Sequence, residues 1–174
     1  PKFDHNKISD KYGIALDIGT TTIAMQLVSL KTTKIIAKAT DTNPQVSYGF
    51  DVMSRIAYTM EDPNGLENLQ KSIVNTLNTL IERLLKDSVV EREDIVELVV
   101  SANTTMSHIL LGESVESLGR FPFTPLFTES RNISAFEVGL NLSKTSRLIT
   151  LPHISAFVGS DIVSGAYASA MCDN

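Results

Sequence analysis

Apolar positions along this chain change their period. From Tyr12 to Ile18 they run almost unbroken, interrupted by one acid, Asp17. A small polar turn follows, Gly19-Thr20-Thr21-Thr22, then a second apolar run, Ile23 to Val28. After Ser29 to Lys34 comes a third, Ile35 to Ala39. β-Branched and aliphatic residues between short polar turns predict three consecutive antiparallel strands. Asn43-Pro44-Gln45 then breaks the pattern, because proline lacks a donor and restricts its predecessor. Val52, Ile56 and Met60 recur every four residues, which predicts a helix from Asp51, ended by Pro63-Asn64-Gly65. Leu66, Leu69, Ile73, Leu77, Leu80, Ile81 and Leu84 predict a longer helix over Leu66 to Lys86, capped by Asn64 or Gly65.

Ile95 to Val100 is apolar except for Glu97 and is expected as a fourth strand buried on both faces. A polar turn, Ser101 to Thr105, leads into a short helix closed by Gly112. Residues 113–146 are irregular. Phe121 to Phe127 carries two prolines and is expected to be extended, its phenylalanines covering one edge of the core. Ser134 to Gly139 is expected as one helical turn. Leu148 to Leu151 gives a fifth strand, and Gly159-Ser160-Asp161 opens a last helix with a small-residue interior. The order is βββ-α-β-α-β-α, with a helix pair before the fourth strand. It predicts an α/β fold with a mixed five-stranded sheet, three antiparallel strands then two parallel, flanked by helices. Right-handed crossovers bring the carboxyl ends of the strands together near Asp17, Gly19 to Thr22, Ser101 to Thr104 and Gly159 to Asp161.

That rim carries the candidate chemistry. A carboxylate buried in a strand is costly unless something binds it, and Asp17 sits one residue before the turn. Gly19 permits a tight bend, and the amides and hydroxyls of Thr20 to Thr22 form a cluster of donors. An acid beside such a turn suits a metal-bound phosphate, with the metal on the carboxylate and the phosphate on the N–H groups. A plain hairpin tied by Asp17 is the competing explanation. Ser101, Asn103, Thr104, Gly159 and Ser160 are expected to line the same cleft, although Asn103 or Thr104 could equally cap a helix. Asp161 falls in the first turn of its helix, where the dipole stabilises an anion. It is a candidate to hold metal-bound water or orient an attacking one. His108 has no cysteine or acid beside it at ligand spacing and is expected to be structural.

Composition narrows the classes. The 174 residues suffice for one domain with a real core, at 43% hydrophobic and 20% charged. A net charge of −5 argues against non-specific nucleic-acid binding, which needs a basic face. No apolar run approaches the ~20 residues of a membrane span. The single cysteine, Cys172, excludes an internal disulfide and a cysteine-ligated iron–sulfur cluster within the chain, and suggests a reducing, cytoplasmic compartment.

The run ALDIGTTT resembles the first phosphate-binding hairpin of the actin-like ATPases. In that superfamily the acid ending the first strand serves Mg²⁺ and the Gly-Thr turn holds the phosphates, a pattern that Asp17 and Gly19 to Thr22 match. Its ribonuclease H-like subdomain shares the expected strand order. The successive blocks NPQVSYGFDVMSRI, SANTTM, FPFTPLF and LPHISAFVGSDIVSGAYAS narrow the likeness to the ATPase domain of the reductive activators of corrinoid proteins. The resemblance runs from Tyr12 to Ala170. It implies a cytoplasmic ATPase that uses ATP and Mg²⁺ to drive reduction of cob(II)amide to cob(I)amide. Its partner would be a corrinoid protein or corrinoid methyltransferase, and a [2Fe–2S] cluster would sit in an upstream domain that this chain lacks. Residues 1–11 are expected as a tail or linker end and 12–174 as the first subdomain, which alone would not hydrolyse ATP. Two other readings stay open: a small-molecule kinase of the same superfamily and a non-hydrolytic interaction module.

Overall fold

In the computed structural model, residues 10–168 are described. Strands β1 (Tyr12–Ile18), β2 (Thr22–Ser29) and β3 (Ile35–Thr42) form an antiparallel meander. Two helices follow, α1 (Val52–Glu61) and α2 (Gly65–Lys86), then β4 (Ile95–Ala102), which pairs parallel with β1. Helix α3 (Thr104–Leu111) leaves the end of β4. Two strands then reach the far edge, β5 (Asn132–Ser134) and β6 (Arg147–Thr150), before α4 (Ser160–Ala168). The sheet order is β3-β2-β1-β4-β6-β5, with β6 parallel to β4 and β5 antiparallel to β6.

The five expected strands are therefore present, and a sixth joins them. Ser134 ends β5 instead of starting a helical turn, and the turn lies at 135–139. Three residues are too few to show a two-residue period, so nothing in the sequence marked β5. The expected tail lies mostly outside the described residues, as do Cys172 and the last two residues of the expected final helix, Ser169 and Ala170. Among the described residues, no helix is long and apolar enough to cross a membrane.

Helix starts follow their local chemistry. The Asp51 side chain accepts the Ser54 N–H at 2.7 Å, and the Ser54 hydroxyl reaches back to the Asp51 N–H, a reciprocal cap for α1. Asn64 precedes α2 but makes no side-chain cap; the first turn carries Glu67 instead.

The core lies on one side of the sheet. Ile14, Leu16 and Ile18 of β1, Met25 and Leu27 of β2, and Leu98 and Val100 of β4 are buried with Leu69, Leu77 and Leu84 of α2. The alternate positions, Ala15, Asp17, Ala24, Val99 and Ser101, are half-buried or exposed. The apolar run of β4 therefore does not mark burial on both faces. Asp17 is likewise exposed and not sunk in the interior. Helices α2 and α3 sit on the core face, and α4 contacts β4 from the other side, where its Asp161 and Ser164 line a cleft with Val99 and Ser101. Of the FPFTPLF phenylalanines, Phe127 is buried and stacks on His108 at 4.2 Å, while Phe121 is 88% exposed. One ring of that segment is buried, against His108 and His153 and outside the main core cluster.

The two faces of β4 should respond differently to truncation. Leu98→Ala, on the core face, is expected to destabilise by about 3 kcal/mol, whereas Val99→Ala should stay within ~1 kcal/mol. Chemical denaturation of both variants measures the difference.

Candidate active site

Register places the acids. Asp17 lies beside Ser101 of β4 and Ala24 of β2, so its side chain shares a face with theirs. A cleft of about 590 Å³ opens there, lined by Asp17, Ala24, Val99, Ser101, Asp161 and Ser164 among others. The two acids, separated by most of the chain, thus meet on one rim. Desolvation by the sheet raises the Asp17 pKa above the ordinary 3.8, and the Asp161 charge raises it further. The Asp161 carboxylate accepts the N–H of Ile162 at 2.9 Å.

Helix α4 is pinned so that Asp161 stays at the rim. The Ser160 hydroxyl donates to the Ala102 carbonyl at 2.9 Å and accepts the Ala102 N–H at 3.0 Å. The Ser160 N–H donates to Nδ1 of the buried His153 at 3.1 Å. Gly159 passes so close to β4 that a Cβ would lie 2.5 Å from Asn103 Cα. No side chain fits there. Gly159 and Ser160 are thus buried joints of the rim, with Asp161 facing the cleft beyond them. Thr104 is also buried, its hydroxyl bonded to the Ser155 carbonyl at 2.7 Å. Asn103 caps α3 by accepting the Met106 N–H at 2.9 Å, and its amide approaches the Thr20 hydroxyl at 3.4 Å. Ser101 stays on the lining, bonded to Ser164 at 2.9 Å.

The hairpin turn is closed by the Gly19 N–H donating to the Thr22 carbonyl at 2.9 Å, and a Cβ on Gly19 would sit 2.8 Å from that oxygen. Among the described residues, the amides of Thr20 and Thr21 donate to no protein acceptor. The turn carbonyls are held from behind. The Asn43 side-chain amide donates to the Gly19 carbonyl at 2.9 Å and the Asn43 N–H to that of Thr21 at 2.7 Å. Arg55 donates to the Thr20 carbonyl at 2.5 Å. Sequence reasoning missed these residues. Asn43 figured there as a strand breaker, and Arg55 lies next to Ile56 on a helix read for its apolar stripe. An arginine amid the buried face of α1 was the available signal.

His108 has a structural role. Its Nδ1–H donates to the Thr104 carbonyl at 2.8 Å, and Nε2 accepts the Leu126 N–H at 3.1 Å, which fixes a neutral tautomer.

The donor set fits a phosphate-bound Mg²⁺. That ion commonly takes one or two carboxylates and fills its remaining positions with water and phosphate oxygens. Asp17 would supply a carboxylate, Asp161 lines the same cleft where it would hold a water, and a dication there would relieve the repulsion between the two acids. No group of three or more His, Cys, Asp or Glu side chains that could hold a metal without phosphate occurs among the described residues.

Strand order, parallel crossovers and an acid at the first hairpin define a ribonuclease H-like subdomain of the kind from which actin-like folds are built. A family profile described as "RACo middle region" matches residues 12–174, and the chain belongs to that family. It is 30% identical over 150 residues to the corrinoid activation enzyme RamQ of Eubacterium limosum, covering 86% of this chain and 25% of that protein. It is also similar to a solved reductive activator for corrinoid, iron-sulfur protein. There the TM-score is 0.94 at 34% identity, over 97% of this chain and 27% of the other. The chain thus spans about a quarter of the length of these relatives.

Two titrations follow. Asp17 should titrate above 3.8 by carboxyl NMR, and Asp161→Asn should bring it down towards that value. Burial depresses the pKa of both His108 and His153 below the ordinary 6.5. Below that value the unfolded chain binds protons that the folded chain refuses. Stability is therefore expected to be full above pH 6.5 and to decline as pH falls through the depressed folded values, which melting curves between pH 7.5 and about 5 would record.

Proposed function

We propose that this chain forms one wall of the ATP site in a reductive activator of corrinoid proteins. The observation that carries this reading is the convergence of Asp17 and Asp161 on one cleft beside a turn with free amides. Thr20, Thr21 and Thr22 would bind phosphate oxygens, and Asp17 would hold Mg²⁺. Asp161, fixed by the Ser160 pin, would orient the attacking water. When bound, the metal supplies charge neutralisation at the phosphates. A cation channelled to this rim also offsets the repulsion between the two carboxylates. Charge on a transferring phosphoryl group needs donors on both sides, so turnover belongs to the full-length protein.

ATP hydrolysis would drive the one-electron reduction of a cob(II)amide to a cob(I)amide on a partner corrinoid protein or methyltransferase. The electron would come from a [2Fe–2S] cluster in another part of the protein, since one cysteine cannot ligate a cluster. Support comes from the family match and from relatives titled corrinoid activation enzyme and reductive activator. A kinase would need an acid beside its phosphoryl acceptor. The turn after β4 offers Ser101, Asn103 and Thr104 in that place, and no acid.

In the full-length activator, Asp17→Asn is expected to lower Mg²⁺-dependent ATP turnover by about 100-fold, the effect of about 3 kcal/mol of lost charge stabilisation. Undiminished turnover would remove Asp17 from the site.

A further inference from the structure

Arg55 is among the largest fully buried side chains of the protein, at 0% exposure. Its guanidinium bonds to neutral acceptors: the Gly49 carbonyl at 2.9 Å, Gln45 Oε1 at 3.1 Å, Met106 sulfur at 3.3 Å and the Thr20 carbonyl at 2.5 Å. No carboxylate is among these partners. Asp51, which acts on it through space, is exposed and engaged by Ser54. A buried cation without an acid partner is costly, because its lost hydration is not returned by an opposite charge.

The turn it grips explains why such a charge would be kept. In a trans peptide the C=O and the following N–H point in opposite directions. The carbonyls of Gly19, Thr20 and Thr21 belong to the same peptide units as the N–H groups of Thr20, Thr21 and Thr22. Asn43 and Arg55, both fully buried, draw these three carbonyls back. The three N–H groups are therefore turned away from these buried anchors, on a turn whose Thr21 and Thr22 are exposed. Gln45 completes the brace. Its amide donates to the Leu69 carbonyl of α2 at 3.1 Å while its oxygen accepts from Arg55. The brace is thus anchored in the helical layer.

We infer that Arg55, braced by Gln45 and working with Asn43, is a positioning residue for polyphosphate, which orients the turn amides and supplies the buried positive charge behind them. This inference rests on the phosphate-turn reading above and names what makes that turn selective. The guanidinium does not touch the ligand. It acts through the Thr20 peptide, whose amide dipole it also polarises. Nucleotide phosphates would supply the negative charge that the interior does not provide.

The test uses the full-length activator and calorimetric titration with MgADP and with adenosine. Wild type should bind MgADP more tightly than adenosine. Arg55→Met, which keeps the length and removes the charge, should weaken MgADP about tenfold while adenosine stays within about twofold, as loss of one charge-assisted interaction predicts. Equal weakening of both ligands would mean a general structural role and overturn the proposal, as would unchanged MgADP affinity. Wild type that fails to prefer MgADP would instead defeat the phosphate-turn reading itself. Should Arg55→Met not fold, Arg55→Lys decides. Lysine keeps the charge but cannot fork to both Gly49 and Thr20, so MgADP affinity should fall by about threefold or more with adenosine unaffected. Wild-type affinity for MgADP in that variant would overturn the proposal.

Discussion

Parallel pairing of β1 with β4 is the constraint from which the rest of the molecule follows. Two parallel strands cannot be joined by a tight turn, so the chain between them must cross the sheet. Here that crossing is α1 and α2, and it brings Arg55 and Asn43 behind the first hairpin. The pairing also sets Asp17 beside Ser101 and Ile18 beside Ala102. Because both strands run the same way, their carboxyl ends open onto one rim, where ligands collect in sheets of this kind. The second parallel step, from β4 to β6, delivers α4 and Asp161 to that rim.

The rim is built from two kinds of residue. Ser160, Gly159, Thr104 and Asn43 are buried or closely packed and direct their polar atoms to backbone partners. They fix where the strands end. Asp17, Asp161 and Ser101 line the cleft, and beside it the Thr20 and Thr21 amides donate to no acceptor among the described residues. The satisfied polar groups of the first set form a rigid frame, which keeps the Thr20 and Thr21 amides from finding partners of their own. Helices α2 and α3 bury the other side of the sheet, so stability and chemistry occupy opposite faces.

Much of this was legible in the order of residues. Strands β1 to β3 are apolar runs set between polar turns and α2 carries a strong helical stripe, and their limits agree with the structure to within three residues at every end. The acid–turn hairpin was readable because Asp17 interrupts an apolar run beside four small residues. The short β5 was not readable, because three residues hold no period. The open face of β4 was signalled only by Glu97; Val99, which shares that face, is as apolar as the buried Leu98 and Val100 beside it and gives no sign of it.

By itself, then, the sequence determined the elements other than β5, their order and the family to which the chain belongs, since these follow from local period, turn chemistry and matched blocks. The tertiary structure alone decided which polar residues face the cleft and which are locked behind it. Asn103, Thr104, Ser160 and Arg55 look alike on paper as polar residues near element ends. Whether each meets solvent or a backbone carbonyl depends on what the crossovers bring against it, and no local pattern encodes that.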